Sequence, residues 1–482
     1  MTEYCMESQK RSLFQNLSPL DHRYYLANRE AFEALGEHLS EEASVRYLVR
    51  VEVALLKTHL ALRNALEPSL EEQLSKLEVS IPPDEVYQEE EKTQHNIRAL
   101  VNVLKRYVPK ELSTLVHAGA TSADILDTAM ALRVKNALRK VILPKLLDLL
   151  CEMIQFIERE DSTPQVGRTH GQHAVPITLG FWMAEFASRL GKSVVELDRL
   201  SLDLRGKLSG AVGAYNALSL MVPDPQEFER TFLSYLDIRP SEYSHQLVEP
   251  EYLLRLLLEI NIAFGILANL ADDLRNLQRS EIGEVREGFA KDQVGSSTMP
   301  QKRNPWNSEH VKSLWKAFYP RVITFFADQI SEHQRDLTNS ASSRFIAEYL
   351  AGFLAAVCRM EKVFRSLQVD RSRLEKNLRM GGDGILAEAA YILLTEAGDP
   401  DAHEHVRLCT LEAEKSGKSL LETLRTHPDL WERLESQCSR ILGLKPEVFF
   451  SSPELYRGKA REKSLQIARI TRERVESVKQ NL

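Results

Sequence analysis

Three polar, glycine-bearing stretches hold the side chains best suited to chemistry: His117-Ala118-Gly119-Ala120-Thr121-Ser122-Ala123-Asp124; Gly167-Arg168-Thr169-His170-Gly171-Gln172-His173, with Pro176 beyond; and Gly295-Ser296-Ser297-Thr298-Met299-Pro300-Gln301-Lys302-Arg303-Asn304-Pro305. The third concentrates hydroxyls, two cations and an amide within nine residues, behind a glycine free to adopt unusual backbone angles. Residues 295–321 sum to +4 inside a chain of net charge −7. A flexible cationic loop of this kind suits a carboxylate or phosphate ligand. It is not a Walker loop, and no nucleophile elbow or dinucleotide fingerprint occurs elsewhere. No metal is expected. His170 and His173 flank a glycine with a proline close by, His403 and His405 are two apart and diverge on a helix, and no H-E-x-x-H occurs. Any one of these loops taken alone could simply cap helix ends; three of them together ask for a function.

The chain around these loops reads as helical. Its 482 residues are 43% hydrophobic and 27% charged, ordinary globular values. Gly and Pro together make up about 8%, below the roughly 12% of average usage. Proline is absent from Ile177 to Val222, Glu251 to Met299 and Arg321 to Asp399, which leaves room for long helices. Steps of three and four link Leu253, Leu257, Ile260, Phe264, Leu267, Ala271 and Leu274; Ile346, Leu350, Phe353, Val357, Met360 and Phe364; and, with one gap, Met183, Phe186, Leu190, Leu197, Leu200 and Leu204. Such stripes belong to the core of a helix bundle and to subunit contacts. Strand signals are weak, and the alternating run Leu77 to Ile81 reads as strand or extended loop.

The fold class is therefore all-α, with three helical domains: 1–114, a central bundle of long helices over 115–368 that carries the active site and the oligomer contacts, and 369–482. Cys5, Cys151, Cys358, Cys409 and Cys438 are dispersed and odd in number, as in a reduced thiol set. The N-terminus MTEYCMESQKRSLFQ has no apolar core, and the longest nearly apolar run noted, Tyr349 to Cys358, is far short of a membrane span. A cytoplasmic protein without membrane partner is expected. The acidic net charge argues against a nucleic-acid-coating role.

The loop from Gly295 to Pro305 resembles the signature loop of the fumarase/aspartase superfamily, and 117–128 and 168–180 resemble its other two shared regions, in the same order. The resemblance spans nearly the whole chain. It implies a central bundle of long helices, a homo-oligomer (usually a tetramer) with sites built from three subunits, and release of fumarate from a succinyl adduct without cofactor. Further pieces resemble the branch that acts on a small-molecule substrate, a succinylated purine nucleotide: Ser18-Pro19-Leu20-Asp21-His22-Arg23-Tyr24, Gln94-His95-Asn96, the Gly210-Ala211-Val212-Gly213 turn, Gln246, and Arg335 to Ser340 with Arg344 beyond. The resemblance implies His170 as general acid and Ser296 as general base. Arg23, Tyr24, Arg335, Ser340 and Arg344 would hold the phosphate end, Thr121 and Ser122 a carboxylate. Gln94, His95, Asn96, Gln246, Ser297, Lys302, Asn304 and His310 complete the substrate-binding set. Asn96 departs from the family's aspartate, and Gly381-Gly382-Asp383-Gly384 has no counterpart in the pattern. An argininosuccinate lyase, a carboxymuconate cycloisomerase or a non-catalytic helical scaffold are the alternatives.

Overall fold

The structure is a computed structural model and describes residues 12–482; Cys5 and the N-terminal segment through residue 11 lie outside the described residues. Seven helices organise the centre of the molecule: α1 (Ser122–Ala137), α2 (Leu143–Arg159), α3 (Leu179–Leu202), α4 (Glu251–Leu277), α5 (Trp306–Phe318), α6 (Ile346–Ser366) and α7 (Ala460–Asn481). α1 continues into α2 through a π-helical segment, Leu138–Ile142, in which the Leu143 N–H donates five residues back to Leu138 O; this widened turn accommodates Pro144, which has no N–H to give. The Thr178 hydroxyl caps α3 by accepting the Phe181 N–H at 3.2 Å.

α3 packs on α2, α4 and α7, and α6 packs on α2, α4 and α5. The three apolar stripes lie in these helices, apart from Leu204 just past the end of α3, and point inward: every member of the α6 stripe is buried, as are Leu257, Ile260, Phe264, Leu267, Ala271 and Leu274 of α4. Each fully buried Leu or Phe contributes about 1.5–3 kcal/mol. α4 spans 27 residues, about 40 Å at 1.5 Å per residue. It is long and apolar enough to cross a membrane, unlike the shorter run noted in the sequence; yet just over half of its apolar window is buried inside the chain, as in a core helix.

Two differences from the sequence reading have clear causes. The run Leu77 to Ile81 is a helical turn, Leu77–Ser80, because Leu77 and Ile81 sit four apart and bury on one side. The stretch 167–173, read only as a polar loop, lies within an antiparallel hairpin, β1 (Pro164–Thr169) with β2 (Gln172–Thr178). The final helix also does not stay with the C-terminal residues. α7 returns to α2 and α3, and its Ala468, Val475 and Val478 join the main core, which also includes the N-terminal helices. A second, separate core gathers Leu386, Leu394, Val406, Leu424, Leu434 and Phe450. Asp383 of the unplaced glycine run caps helix Leu420–Arg425 by accepting the Leu420 and Leu421 N–H groups at 2.9 and 2.7 Å. Cys151, Cys358, Cys409 and Cys438 are free thiols.

Candidate active site

His170 and Gly171 form the two-residue turn of the β1–β2 hairpin, since Thr169 pairs with Gln172. Both have positive φ, +55° and +75°, the backbone of a hairpin turn whose twist matches its strands. His170 is thus held at an exposed tip. Below the tip, Arg168 donates through both terminal nitrogens to the fully buried Glu284.

Ser296 lies in an irregular loop, 288–305, whose two roots are fastened by one carboxylate. Glu287 accepts from Asn307 N at 3.1 Å, Asn307 Nδ2 at 2.9 Å and Ser308 N at 2.9 Å at the start of α5. Within the loop, Asn304 Nδ2 donates to Gly295 O at 3.0 Å. Gly295 is required here, because a Cβ would stand 2.2 Å from Lys302 O. The Ser296 Oγ accepts the Met299 N–H at 3.1 Å and the Thr298 N–H at 3.4 Å. Donors aimed at a hydroxyl oxygen favour its deprotonated form. Ser297 and Lys302 are exposed. Lys302, Arg303 and Asn304 line a polar cleft of about 640 Å³ with Arg275, Arg279 and Glu309.

Gln246 and Arg335 meet: Arg335 Nη1 donates to Gln246 Oε1 at 2.9 Å. Arg335 Nε is buried and has no hydrogen-bond partner among the described residues, although the Arg335 charge acts on Asp127 and Asp336. Gln246 stands in a tight loop closed by a Ser244–Val248 bridge. Two contacts pin that loop. Asp127 Oδ2 accepts the Val248 N–H at 2.9 Å, and Gly213, at φ +77°, approaches so closely that a Cβ would lie 1.8 Å from Ser244 O. Burial pushes the Asp127 carboxyl up to about 6, against the Val248 N–H and the charges of Lys207 and Arg335.

Tyr24 and His310 meet across 286 residues, Tyr24 Oη to His310 Nε2 at 2.8 Å, with ring centroids 5.7 Å apart. Burial, with the Arg359 and Arg23 charges, holds His310 below its ordinary value. Tyr24 Oη and His310 Nε2 share this one hydrogen bond, its direction set by the imidazole tautomer. Thr121 and Ser122 open α1, where the Asp124 carboxylate accepts from Thr121 N at 2.8 Å, Ser209 N at 3.1 Å and Lys207 Nζ.

The remaining candidates stand apart. Gln94, His95 and Asn96 form an exposed turn between helices Pro83–Thr93 and Asn96–Tyr107 and spend their polar atoms locally. Gln94 Nε2 donates to Glu91 O at 2.8 Å, His95 Nδ1 accepts Arg98 N–H at 3.2 Å, and Asn96 Oδ1 accepts Ile97 N–H at 2.7 Å. Ser340 and Arg344 are exposed on the segment between α5 and α6, near enough to Tyr87 for the Arg344 charge to act on it. One chain thus brings together Tyr24 with His310, Gln246 with Arg335, and Ser296 with Lys302 and Asn304 on one loop. It leaves His170 and His95 on separate exposed turns. Glu284, Glu287, Asp127 and Lys207 were not singled out from the sequence. Their one signal was a charge inside an otherwise apolar or glycine-rich run, as in Gly206-Lys207-Leu208.

A long-helix bundle with the Ser296 loop at the root of α5 and His170 on a hairpin defines the class, a lyase of the fumarase/aspartase type. Residues 28–316 match the family model described as Lyase, and 331–449 match the one described as Adenylosuccinate lyase C-terminal. The adenylosuccinate lyase of Pyrococcus abyssi is 34% identical over 451 residues, 92% of this chain and 95% of that protein, and that of Archaeoglobus fulgidus is 32% identical over 460 residues, 94% and 98%. The chain belongs to the adenylosuccinate lyase family. Its backbone is similar to 3-carboxy-cis,cis-muconate lactonizing enzyme from Pseudomonas putida (TM-score 0.77, 23% identity, 92% of this chain and 97% of that one). The fumarate lyase from Mesorhizobium sp. BNC1 is similar too (TM-score 0.77, 22%, 90% and 97%).

Proposed function

We propose that this chain catalyses anti elimination of fumarate from adenylosuccinate, giving AMP, and the corresponding cleavage of the succinylated imidazole-carboxamide nucleotide, in purine nucleotide biosynthesis. The reaction removes a proton from the carbon next to a carboxylate and breaks the adjacent C–N bond. Ser296 takes that proton. Its oxygen already receives the Met299 and Thr298 N–H groups, which stabilise the alkoxide it must form to act as a base. Charge then builds on the carboxylate, where Lys302, Asn304, Thr121 and Ser122 stabilise it. His170 protonates the leaving nitrogen from the opposite face. Arg23, Tyr24, Arg335, Ser340 and Arg344 hold the phosphate, with arginine's fork matching its oxygens. Gln94, His95, Asn96, Gln246, Ser297 and His310 align the nucleotide.

His170 and His95 sit on exposed turns away from the Ser296 loop, and this favours a homo-oligomer, a tetramer, in which neighbouring chains complete each site. A cytoplasmic location, and unit boundaries near 114 and 368 amended by the return of α7 to the bundle, belong to the same proposal.

One observation carries this reading: the Gly295–Pro305 loop keeps every reactive side chain and is fastened at both roots in a chain of this family. Purified protein given adenylosuccinate is expected to release AMP and fumarate in equal amounts, and Ser296→Ala to abolish release. Turnover of argininosuccinate instead, or none at all, would reject the proposal.

A further inference from the structure

Glu284 has no accessible side-chain surface, yet it carries a carboxylate. Four donors converge on it: Gln165 Nε2 at 2.8 Å, Asn377 Nδ2 at 2.8 Å, and both terminal nitrogens of Arg168. The donors come from β1 and from helix Arg371–Arg379. Glu284's own backbone is tied as well. Its N–H donates to Leu277 O and its carbonyl accepts from Asp370 N, both at 2.9 Å. The next two residues pair with Val369 and Gln368. Glu287, three residues on, fastens the Ser296 loop to α5.

Stability alone does not account for this arrangement. A buried ion pair rarely outperforms a well-packed apolar replacement, because both charges lose their water. The neighbouring amides also give up something. Gln165 Oε1 and Asn377 Oδ1 are buried without hydrogen-bond partners among the described residues while their NH2 groups serve Glu284. What the pair supplies is direction, since a bidentate guanidinium fixes both the plane and the angle of its partner. Arg168 lies two residues before His170 and opposite His173, whose basicity is lowered first by burial and then by the Arg168 charge.

We propose that Glu284 is a positioning residue for the reaction: through Arg168 it sets the angle at which the hairpin presents His170 to the Ser296 loop of a neighbouring chain. This rests on the reading of His170 as general acid. Glu284 touches no reacting atom. Without its charge, Arg168 would stand as an unpaired cation behind the hairpin tip and misplace His170.

The test compares Glu284→Gln, Arg168→Lys and the double variant Arg168→Gln/Glu284→Gln with the parent enzyme on adenylosuccinate. Turnover by the parent is measured first, and its absence would count against the proposed function rather than against Glu284. Given turnover, Glu284→Gln is expected to lose at least tenfold in kcat with KM within threefold, and its high-pH limb to move to lower pH by about half a unit or more. Arg168→Lys keeps the charge and loses the fork; about fivefold loss in kcat with the limb in place is expected. The double variant should be no slower than Glu284→Gln alone. If Glu284→Gln does not fold, the Arg168→Lys values decide. Soluble, oligomeric variants with parental kcat and an unmoved pH limb would overturn the inference.

Discussion

The Asp124 carboxylate and the Lys207 ammonium form an ion pair in which neither side chain has any accessible surface. Asp124 also receives the Thr121, Ser209 and Gly210 N–H groups, and Lys207 reaches Gly210 O. One carboxylate thereby joins the Thr121–Ser122 start of α1 to the glycine turn that supports the Gln246 loop.

Removing one partner leaves the other charge buried and alone. Lys207→Met is expected to cost about 3–5 kcal/mol of stability, while Asp124→Asn/Lys207→Met should cost less than the two single changes summed. Chemical denaturation of the three variants checks this. A Lys207→Met protein as stable as the parent would mean that Asp124 is neutralised by other means.

Gly213 is argued from contact rather than charge. An alanine there would place its Cβ 1.8 Å from Ser244 O and hold φ at +77°. The Ser244–Val248 loop must then move, and Gln246 leaves Arg335. A loss of about 1–3 kcal/mol is expected, with a rise in KM for the nucleotide larger than the fall in kcat. Thermal melting and steady-state kinetics measure both, and unchanged KM would separate the loop from substrate binding.

How far these relationships could be read beforehand depends on their range. The helix stripes were legible because periodicity is local: Leu257, Phe264 and Leu274 recur on one face whatever packs against them. The reactive loops were legible because their residue types are unusual and contiguous. The hairpin was not, since Gly167, His170 and Gly171 look like any polar loop and the pairing of Arg168 with His173 is set by closure of the turn. Nor was Glu284. Its partners Gln165, Arg168 and Asn377 lie 93 to 119 residues away, and no local pattern encodes such a meeting. The return of α7 to the bundle was missed for the same reason.

Asp127 gives a pH dependence with a definite sign. Its carboxyl is raised from 3.8 to about 6, with burial the largest cause. Below pH 3.8 it is protonated folded or unfolded and costs nothing. Between 3.8 and 6 the unfolded chain releases the proton first, so stability falls as pH rises and stays lower above 6. The displacement corresponds to at most about 3 kcal/mol, reduced by partial solvent access to about 1–2. Asp127→Asn keeps an acceptor for the Val248 N–H and should raise the melting temperature at pH 7.5 while leaving it unchanged near pH 4. Equal effects at both pH values would show that ionisation is not the cause.

Tyr24 and His310 make the opposite kind of pH argument. Burial, with the Arg359 and Arg23 charges, holds His310 below its ordinary value, so near neutrality an uncharged imidazole shares the hydrogen bond with the phenol. The pair fastens the short helix Arg23–Ala27 to α5 and keeps Arg23 beside the proposed phosphate position. As pH falls below 6.5, the unfolded histidine binds its proton first, so this contribution to stability, complete above 6.5, is lost as pH drops through the folded value. A protonated His310 can only donate, so the phenol must then accept, and a cation is left half-buried beside Arg359 and Arg23. Tyr24→Phe removes the hydrogen bond without changing ring volume. It is expected to raise KM for adenylosuccinate about three- to tenfold at pH 7.5, and kcat should change less than twofold, because neither ring touches the breaking bond. His310→Gln keeps a hydrogen-bonding partner for the phenol and should retain most of the affinity, now without the loss of stability on acidification. If Tyr24→Phe lowers kcat and leaves KM alone, the pair serves the chemical step rather than nucleotide binding.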